Sequence, residues 1–138
     1  MVVEALKYED YPVQTSDKIR YVDTDRQGHV NNAVFATFLE TGRVEILYDP
    51  AQPLTDVDSE FVIAKLVLNF KSDIRWPGTI RIGTRIASVG RSSVTLEQGL
   101  FQNDRCVATA ETVIVLMDQR TRKSRPLPEH AIKRLSSL

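Results

Sequence analysis

Between Asp23 and Asn32 the chain collects two carboxylates, a histidine, a glycine and two asparagines. The surrounding pattern puts this stretch where a strand gives way to a helix. A helix start carries N–H groups without intrahelical acceptors and a partial positive charge. Such a place suits the negative oxygen that develops on an attacked carbonyl, where a single donor is worth about 2.7–4 kcal/mol. Asp25 would serve beside it as a nucleophile or as a base toward water. The same residue types also make ordinary turns and caps. Asp and Asn next to Gly bond their own backbone, and a lone histidine is commonly a surface hydrogen-bonding group. Composition and spacing leave both readings open.

The elements that must position these residues are legible as periodicities. Val13 to Val22 mixes β-branched, aromatic and polar residues and reads as a strand, and Asp23 to His29 reads as a turn. Asn31 or Asn32 can cap the helix that follows. Phe35, Phe38, Leu39, Gly42 and Ile46 recur at three- and four-residue steps, and Asp49-Pro50 ends the pattern. A helix over 32–48 would be about 25 Å long at ~1.5 Å per residue. Beyond a polar loop the period becomes two. Val62, Ala64, Leu66, Leu68 and Phe70 fall on one face of a strand, with Ile63, Lys65, Asn69 and Lys71 on the other. Further alternating runs cover 80–86, 94–100 and 106–117, separated by turns at Gly90-Arg91-Ser92 and Asn103-Asp104. Short turns and close spacing predict an antiparallel meander. Pro126-Leu127-Pro128-Glu129 opens a short terminal helix. The expected class is α+β: one amphipathic helix on one apolar sheet face, in a single domain over 1–138. Apolar positions on the outer face, such as Ile63 and Val67, point to self-association.

The 138 residues balance 18 Lys+Arg against 18 Asp+Glu. That balance argues against binding nucleic acid mainly through phosphates, which calls for a basic excess. No apolar run approaches the ~18 residues of a membrane span, and residues 1–10 show no basic region followed by an apolar stretch. No membrane association and a cytoplasmic location are expected. Cys106 is the only cysteine, so an intrachain disulfide is impossible and a cysteine-based zinc site would lack thiols. Its strand pattern marks it as a small core residue. No metal-ligand cluster is visible.

The string Asp23-Thr24-Asp25-Arg26-Gln27-Gly28-His29-Val30-Asn31-Asn32, continued by Phe35, Glu40 and Arg43, resembles the DxDxxGHVNNxxYxxxxExxR signature of hotdog-fold acyl-CoA thioesterases of the hydroxybenzoyl-CoA thioesterase-like branch. The strand, long helix and four-strand order is similar over nearly the whole chain. The resemblance implies a five-stranded antiparallel sheet wrapped around one long helix, with the sheets of two subunits joined in a homodimer and often paired again in a homotetramer. It implies hydrolysis of an acyl-CoA to free acid and coenzyme A, with no cofactor beyond the coenzyme A of the substrate. Asp25 would be the catalytic carboxylate, with His29 and Asn32 orienting water or substrate. Gly28 would let the acyl group approach, and N–H groups from His29 through Val30 and Asn31 to Asn32 would polarise its carbonyl. Phe35 stands where the family often has Tyr, so it brings no hydroxyl. It packs in the core or lines an acyl pocket.

Asp23 reads as turn-shaping. Glu40 lies off the apolar stripe, able to pair with Arg43 at i+3 or to shape a partner-facing site. Arg91 and Ser92, with Arg120, Arg122, Lys123 and Arg125, are candidates for the phosphates of coenzyme A. Trp76 reads as a turn anchor and His130 as a surface residue. Two rival functions keep the fold: an acyl-acyl carrier protein thioesterase, whose basic C-terminal turn would face an acidic protein, and a module that binds an acyl-CoA or other small ligand without turnover.

Overall fold

The computed structural model describes residues 6–138; the first half of the N-terminal segment, residues 1–5, lies outside it. The elements are β1 (Val13–Ile19), α1 (Asn32–Leu47), β2 (Ser59–Phe70), β3 (Gly78–Val89), β4 (Ser93–Gln102), β5 (Arg105–Asp118) and α2 (Glu129–Ser136), with short 3-10 turns at Tyr8–Asp10 and Tyr21–Asp23. The strands form one five-stranded sheet in the order β1-β3-β4-β5-β2, and every pair is antiparallel. This is the expected α+β arrangement of a sheet around one long helix, followed by a short terminal helix.

The meander holds only for β3, β4 and β5. β2 pairs with β5, not with β3, so residues 71–77 carry the chain across one end of the sheet. That crossover is tied down by Lys71 and Ser72 N–H groups donating to Val107 O, and by Ile74, fully buried in the core. β2 is thereby left as an edge strand.

The β2 face assignment also needs correcting. Ile63 pairs with Ile114 but Lys65 pairs with Val113, so Ala64 is the extra residue of a bulge. The bulge reverses the alternation. Phe61 and Ile63 share the helix-facing side with Leu66, Leu68 and Phe70, while Val62, Lys65, Val67 and Asn69 face out. Antiparallel partners lie on one face, and the partners of the first set, Leu116, Ile114, Thr112, Ala110 and Ala108, are all buried.

α1 forms where its apolar period predicts, and Asn31 is its cap: the side-chain Oδ1 accepts from Ala33 N at 3.0 Å. It buries Phe35, Phe38, Leu39, Gly42, Ile46 and Leu47 against the inner sheet face. The core divides into a cluster around Phe35, Phe38 and Leu39 and another around Ile46, Leu47 and α2. Each fully buried Leu, Ile or Phe contributes roughly 1.5–3 kcal/mol. Between the clusters the helix touches the sheet through Gly42. A Cβ there would stand 2.6 Å from Ile82 Cγ2 and 2.9 Å from Gln98 Nε2. Gln98 Nε2 donates to Leu39 O at 2.9 Å and to Thr84 Oγ1 at 3.0 Å, so it cannot yield freely.

Gly42→Ala should therefore destabilise the protein by about 1–3 kcal/mol through overpacking, although alanine is the better helix former by ~1 kcal/mol. Urea denaturation measures the difference. Unchanged or increased stability would contradict this seating of the helix.

Candidate functional site

The segment between β1 and α1 folds on itself before the helix begins. Thr24 and Val30 form an antiparallel bridge, Asp25 N donates to His29 O at 2.7 Å, and Gly28 N donates to Asp25 O at 3.1 Å. Gly28 sits at φ +79°, and an added Cβ would meet nothing within 4 Å. Glycine is thus required there by backbone conformation, and the space above it is open.

Asp23 and Asp25 take opposite parts. Asp23 is 3% exposed. Its Oδ2 accepts from Arg20 N and its Oδ1 from Arg20 Nη2, both at 2.9 Å, and its carbonyl accepts from Asn31 N at 2.8 Å. Asp23 shapes the turn. Asp25 is exposed. Its Oδ1 accepts from Gln27 N at 2.9 Å and His29 N at 3.2 Å. Its Oδ2 has no donor among the described residues.

The expected row of N–H donors is mostly occupied. His29 N is taken by Asp25 Oδ1, Val30 N by Ile74 O and Asn31 N by Asp23 O, while Ala33 and Val34 donate to Asn31. From His29 to Val34, Asn32 N is the one without an acceptor among the described residues. The Asn32 side chain is exposed beside it. Val30 and Phe35 are core residues, at 5% and 3% exposure, and not open site surface. The aromatic surface near the helix start belongs instead to Phe70, half exposed, its ring 5.0 Å edge-on from Phe35.

His29 brings in a residue the sequence reading missed. Its Nε2 lies 3.4 Å from Asp73 Oδ2, and Arg75 Nε pairs with that same oxygen at 2.8 Å. The bridge between His29 and Arg75 fixes the two segments side by side. Burial pulls the Asp73 carboxyl upward, but the hydrogen bond and charge of Arg75, with His29 adding to them, hold it below its ordinary 3.8. No local motif marks Asp73, because it arrives through the crossover after β2.

Arg91 and Ser92 lie elsewhere. They turn between β3 and β4, where Arg91 O accepts from Leu127 N and Ser92 O from Leu116 N. The Asp25 loop adjoins the opposite end of β3, beside Gly78. With 12 residues in β3, about 40 Å of strand separates those ends at ~3.3 Å per residue. The basic C-terminal turn is at the far end too, and it is largely neutralised. Arg120 pairs with Asp58 and Arg122 with Glu60, each at 2.9 Å, and Arg125 with Asp56 at 3.3 Å and Asp118 at 3.5 Å.

The remaining candidates are structural. Trp76 meets Tyr21 edge-on at 5.3 Å, His130 Nε2 lies 3.1 Å from Pro53 O, and Cys106 is half-buried with its thiol pushed up by burial. Arg43 is buried, which lowers its pKa, while the charge of Glu40 acts on it in the opposite direction without a direct ion pair. Among the described residues no three His, Cys, Asp or Glu side chains converge to hold a metal, and no helix is long and apolar enough to cross a membrane.

Comparison with known proteins places the chain and its fold among relatives. A family model described as the thioesterase-like superfamily matches residues 19–135. The acyl-CoA thioester hydrolase YbgC of Escherichia coli is 27% identical over 119 residues, covering 83% of this chain and 89% of that protein. A thioesterase from Thermus thermophilus, solved with coenzyme A and zinc, superposes with a TM-score of 0.78 at 27% identity over 94% of this chain and 95% of its own. The PA5185 protein of Pseudomonas aeruginosa shares the fold with a TM-score of 0.85 at 24% identity, covering 96% of this chain and 94% of that one.

The lowered pKa of Asp73 carries a pH signature. A carboxyl whose folded value is lowered stabilises the protein above its unfolded value and loses that contribution as pH falls through the folded one. Asp73→Asn should therefore unfold at a lower temperature than the wild type at pH 7, and the gap should close as pH drops below the ordinary 3.8. Thermal unfolding at neutral and acid pH checks this; an equal gap at both would refute the ion-pair account.

Proposed function

The chain belongs to the thioesterase-like superfamily, and from that premise we propose that it hydrolyses an acyl-CoA thioester to the free acid and coenzyme A, with Asp25 as the catalytic carboxylate. The observation that carries this reading is the pairing of two unused groups at the helix start. Asp25 Oδ2 and Asn32 N have no partner among the described residues, while the N–H groups of His29, Val30, Asn31, Ala33 and Val34 are all taken. One is a base or nucleophile, the other a donor for a developing oxyanion.

The reaction needs both. Water adds to the thioester carbonyl as Asp25 takes its proton, or Asp25 Oδ2 itself attacks and the resulting anhydride is opened by water. Either way the carbonyl oxygen gains charge beside Asn32 N and the positive end of α1. In the first route the C–S bond then breaks and the thiolate of coenzyme A takes the proton held by Asp25. In the second the C–S bond breaks as the anhydride forms, the thiolate takes a proton from solvent, and water then opens the anhydride to free acid and the Asp25 carboxylate. The backbone donors on Oδ1 hold the carboxylate in one orientation, which supplies part of the barrier reduction as positioning. His29, steadied by Asp73, and the exposed Asn32 amide flank the same space and orient water or substrate.

The working unit in this proposal is a dimer joined along β2. That edge is unpaired and exposes Ile63, Leu66, Val67 and Phe70, a combination that invites strand pairing. A two-fold axis across antiparallel edges sets the start of one β2 beside the end of the other. The partner's β3–β4 turn, bearing a second Arg91 and Ser92, would then return to the end of the sheet where Asp25 lies, within reach of coenzyme A phosphates. A carrier-protein substrate is less favoured, since the basic turn meant to meet it already pairs with Asp56, Asp58, Glu60 and Asp118.

Asp25→Asn should lower kcat on acyl-CoA by about 10²–10⁴-fold with a wild-type oligomeric state and unfolding temperature. Thiol release from short, medium, long and aromatic acyl-CoAs measures it and ranks the acyl groups. Full activity in a folded variant would sink the carboxylate mechanism. Acyl-CoA binding without thiol release by the wild type would replace hydrolysis with a binding role.

A further inference from the structure

We propose that Gln102, at the end of β4 and outside every motif of the sequence, is a positioning residue for the hydrolytic site. It acts on Asp25 through the main chains of Arg75 and His29. Gln102 is only 5% exposed, and both ends of its amide are spent on one residue. Arg75 N donates to Gln102 Oε1 at 3.1 Å, and Gln102 Nε2 donates to Arg75 O at 2.7 Å. A buried amide satisfied in this way grips main chain much as a neighbouring strand would. Gly78 leaves it room, since a Cβ there would stand 3.1 Å from Gln102 Nε2.

The gripped residue leads to the Asp25 loop. Arg75 forms an antiparallel bridge with His29, and Val30 N donates to Ile74 O at 2.8 Å. His29 N then donates to Asp25 Oδ1 at 3.2 Å, and Asp25 N to His29 O at 2.7 Å. Consecutive contacts thus join the sheet to the carboxylate. The same hairpin supplies a second grip. Gln102 pairs with Arg105 across Asn103 and Asp104, both at positive φ, as a tight two-residue hairpin turn requires. Arg105 Nη2 donates to Asp73 O at 3.2 Å, so the end of the hairpin holds the crossover at residues 73 and 75. Between them Arg75 Nε holds Asp73 Oδ2 at 2.8 Å. The crossover lies outside the strands of the sheet, so the place of Arg75 rests on these side chains and on buried Ile74. A displacement of about 1 Å at a reacting group can cost on the order of 10²-fold in rate. The grip therefore bears on turnover as well as on folding.

Gln102 has this role only if Asp25 is the catalytic carboxylate, and the test reads the two apart. Gln102→Met keeps the length of the side chain and removes both hydrogen bonds. Below its unfolding transition it should lower kcat on acyl-CoA about ten- to a hundredfold with little change in KM. The amide resonances of Asp25, His29 and Val30 should shift with it. Gln102→Asn, whose amide falls one methylene short, should retain more activity than Gln102→Met. Leu135→Ala, in the core cluster beside α2 at the other end of the sheet, is the comparison. It should lower the unfolding temperature at least as far and leave kcat and those three amides unchanged. Wild-type kcat in Gln102→Met beside an inactive Asp25→Asn would overturn the role of Gln102 alone. An equal loss of kcat in Leu135→Ala would overturn it too, because the effect would then follow stability. Full activity in Asp25→Asn would remove the carboxylate mechanism and the role of Gln102 with it.

Discussion

The close seating of α1 on the sheet through Gly42 is the constraint on which the rest of the site depends. With no side chain at that position, the helix backbone lies against Ile82, and Gln98 reaches from the sheet to the carbonyl of Leu39. The helix can neither roll nor slide without breaking that bond or parting the two core clusters. Its N-terminus is thereby placed. The Asp25 loop is anchored separately, through Asp23 to Arg20 and through Val30 to Ile74. The mutual position of the carboxylate and Asn32 N is therefore a product of packing some distance away, as preorganised sites require.

That seating has a second consequence. The residue after Gly42 is drawn toward the sheet with it, so the Arg43 side chain meets Gln98 instead of solvent. An arginine at i+3 from a glutamate ordinarily reads as half of a surface pair. Burial replaces the surface ion pair with a buried guanidinium on which Glu40 still acts through its charge.

The sequence was most legible where a signal was local and periodic. The helix bounds followed from apolar residues at three- and four-residue steps, with Asn31 as the cap, and the Asp23–Asn32 loop stood out by residue type. What the pattern could not carry was pairing. A single extra residue at Ala64 reversed the faces of β2, because a period of two has no memory across a bulge. The position of β2 next to β5 was invisible for a related reason: short spacing favours sequential pairing, and only burial of Ile74 beneath the crossover shows why the chain goes elsewhere. Asp73 reaches His29 through the same crossover, so no reading confined to the loop could have found it.

The contrast between Asp23 and Asp25 shows what separates an enclosed carboxylate from one left available. The two stand two residues apart in one turn and are identical in type. Asp23 spends both oxygens on Arg20 and is enclosed; Asp25 spends one oxygen on backbone N–H groups and leaves the other open. Arg120, Arg122 and Arg125 at the far end of the sheet are likewise matched by carboxylates. Asp25 is exposed, so its second oxygen is met by water without a protein donor and stays accessible to a substrate. In the proposed function the reacting surface is the start of α1, where the helix supplies a donor and the loop supplies a carboxylate, each held in place by interactions that leave it unused.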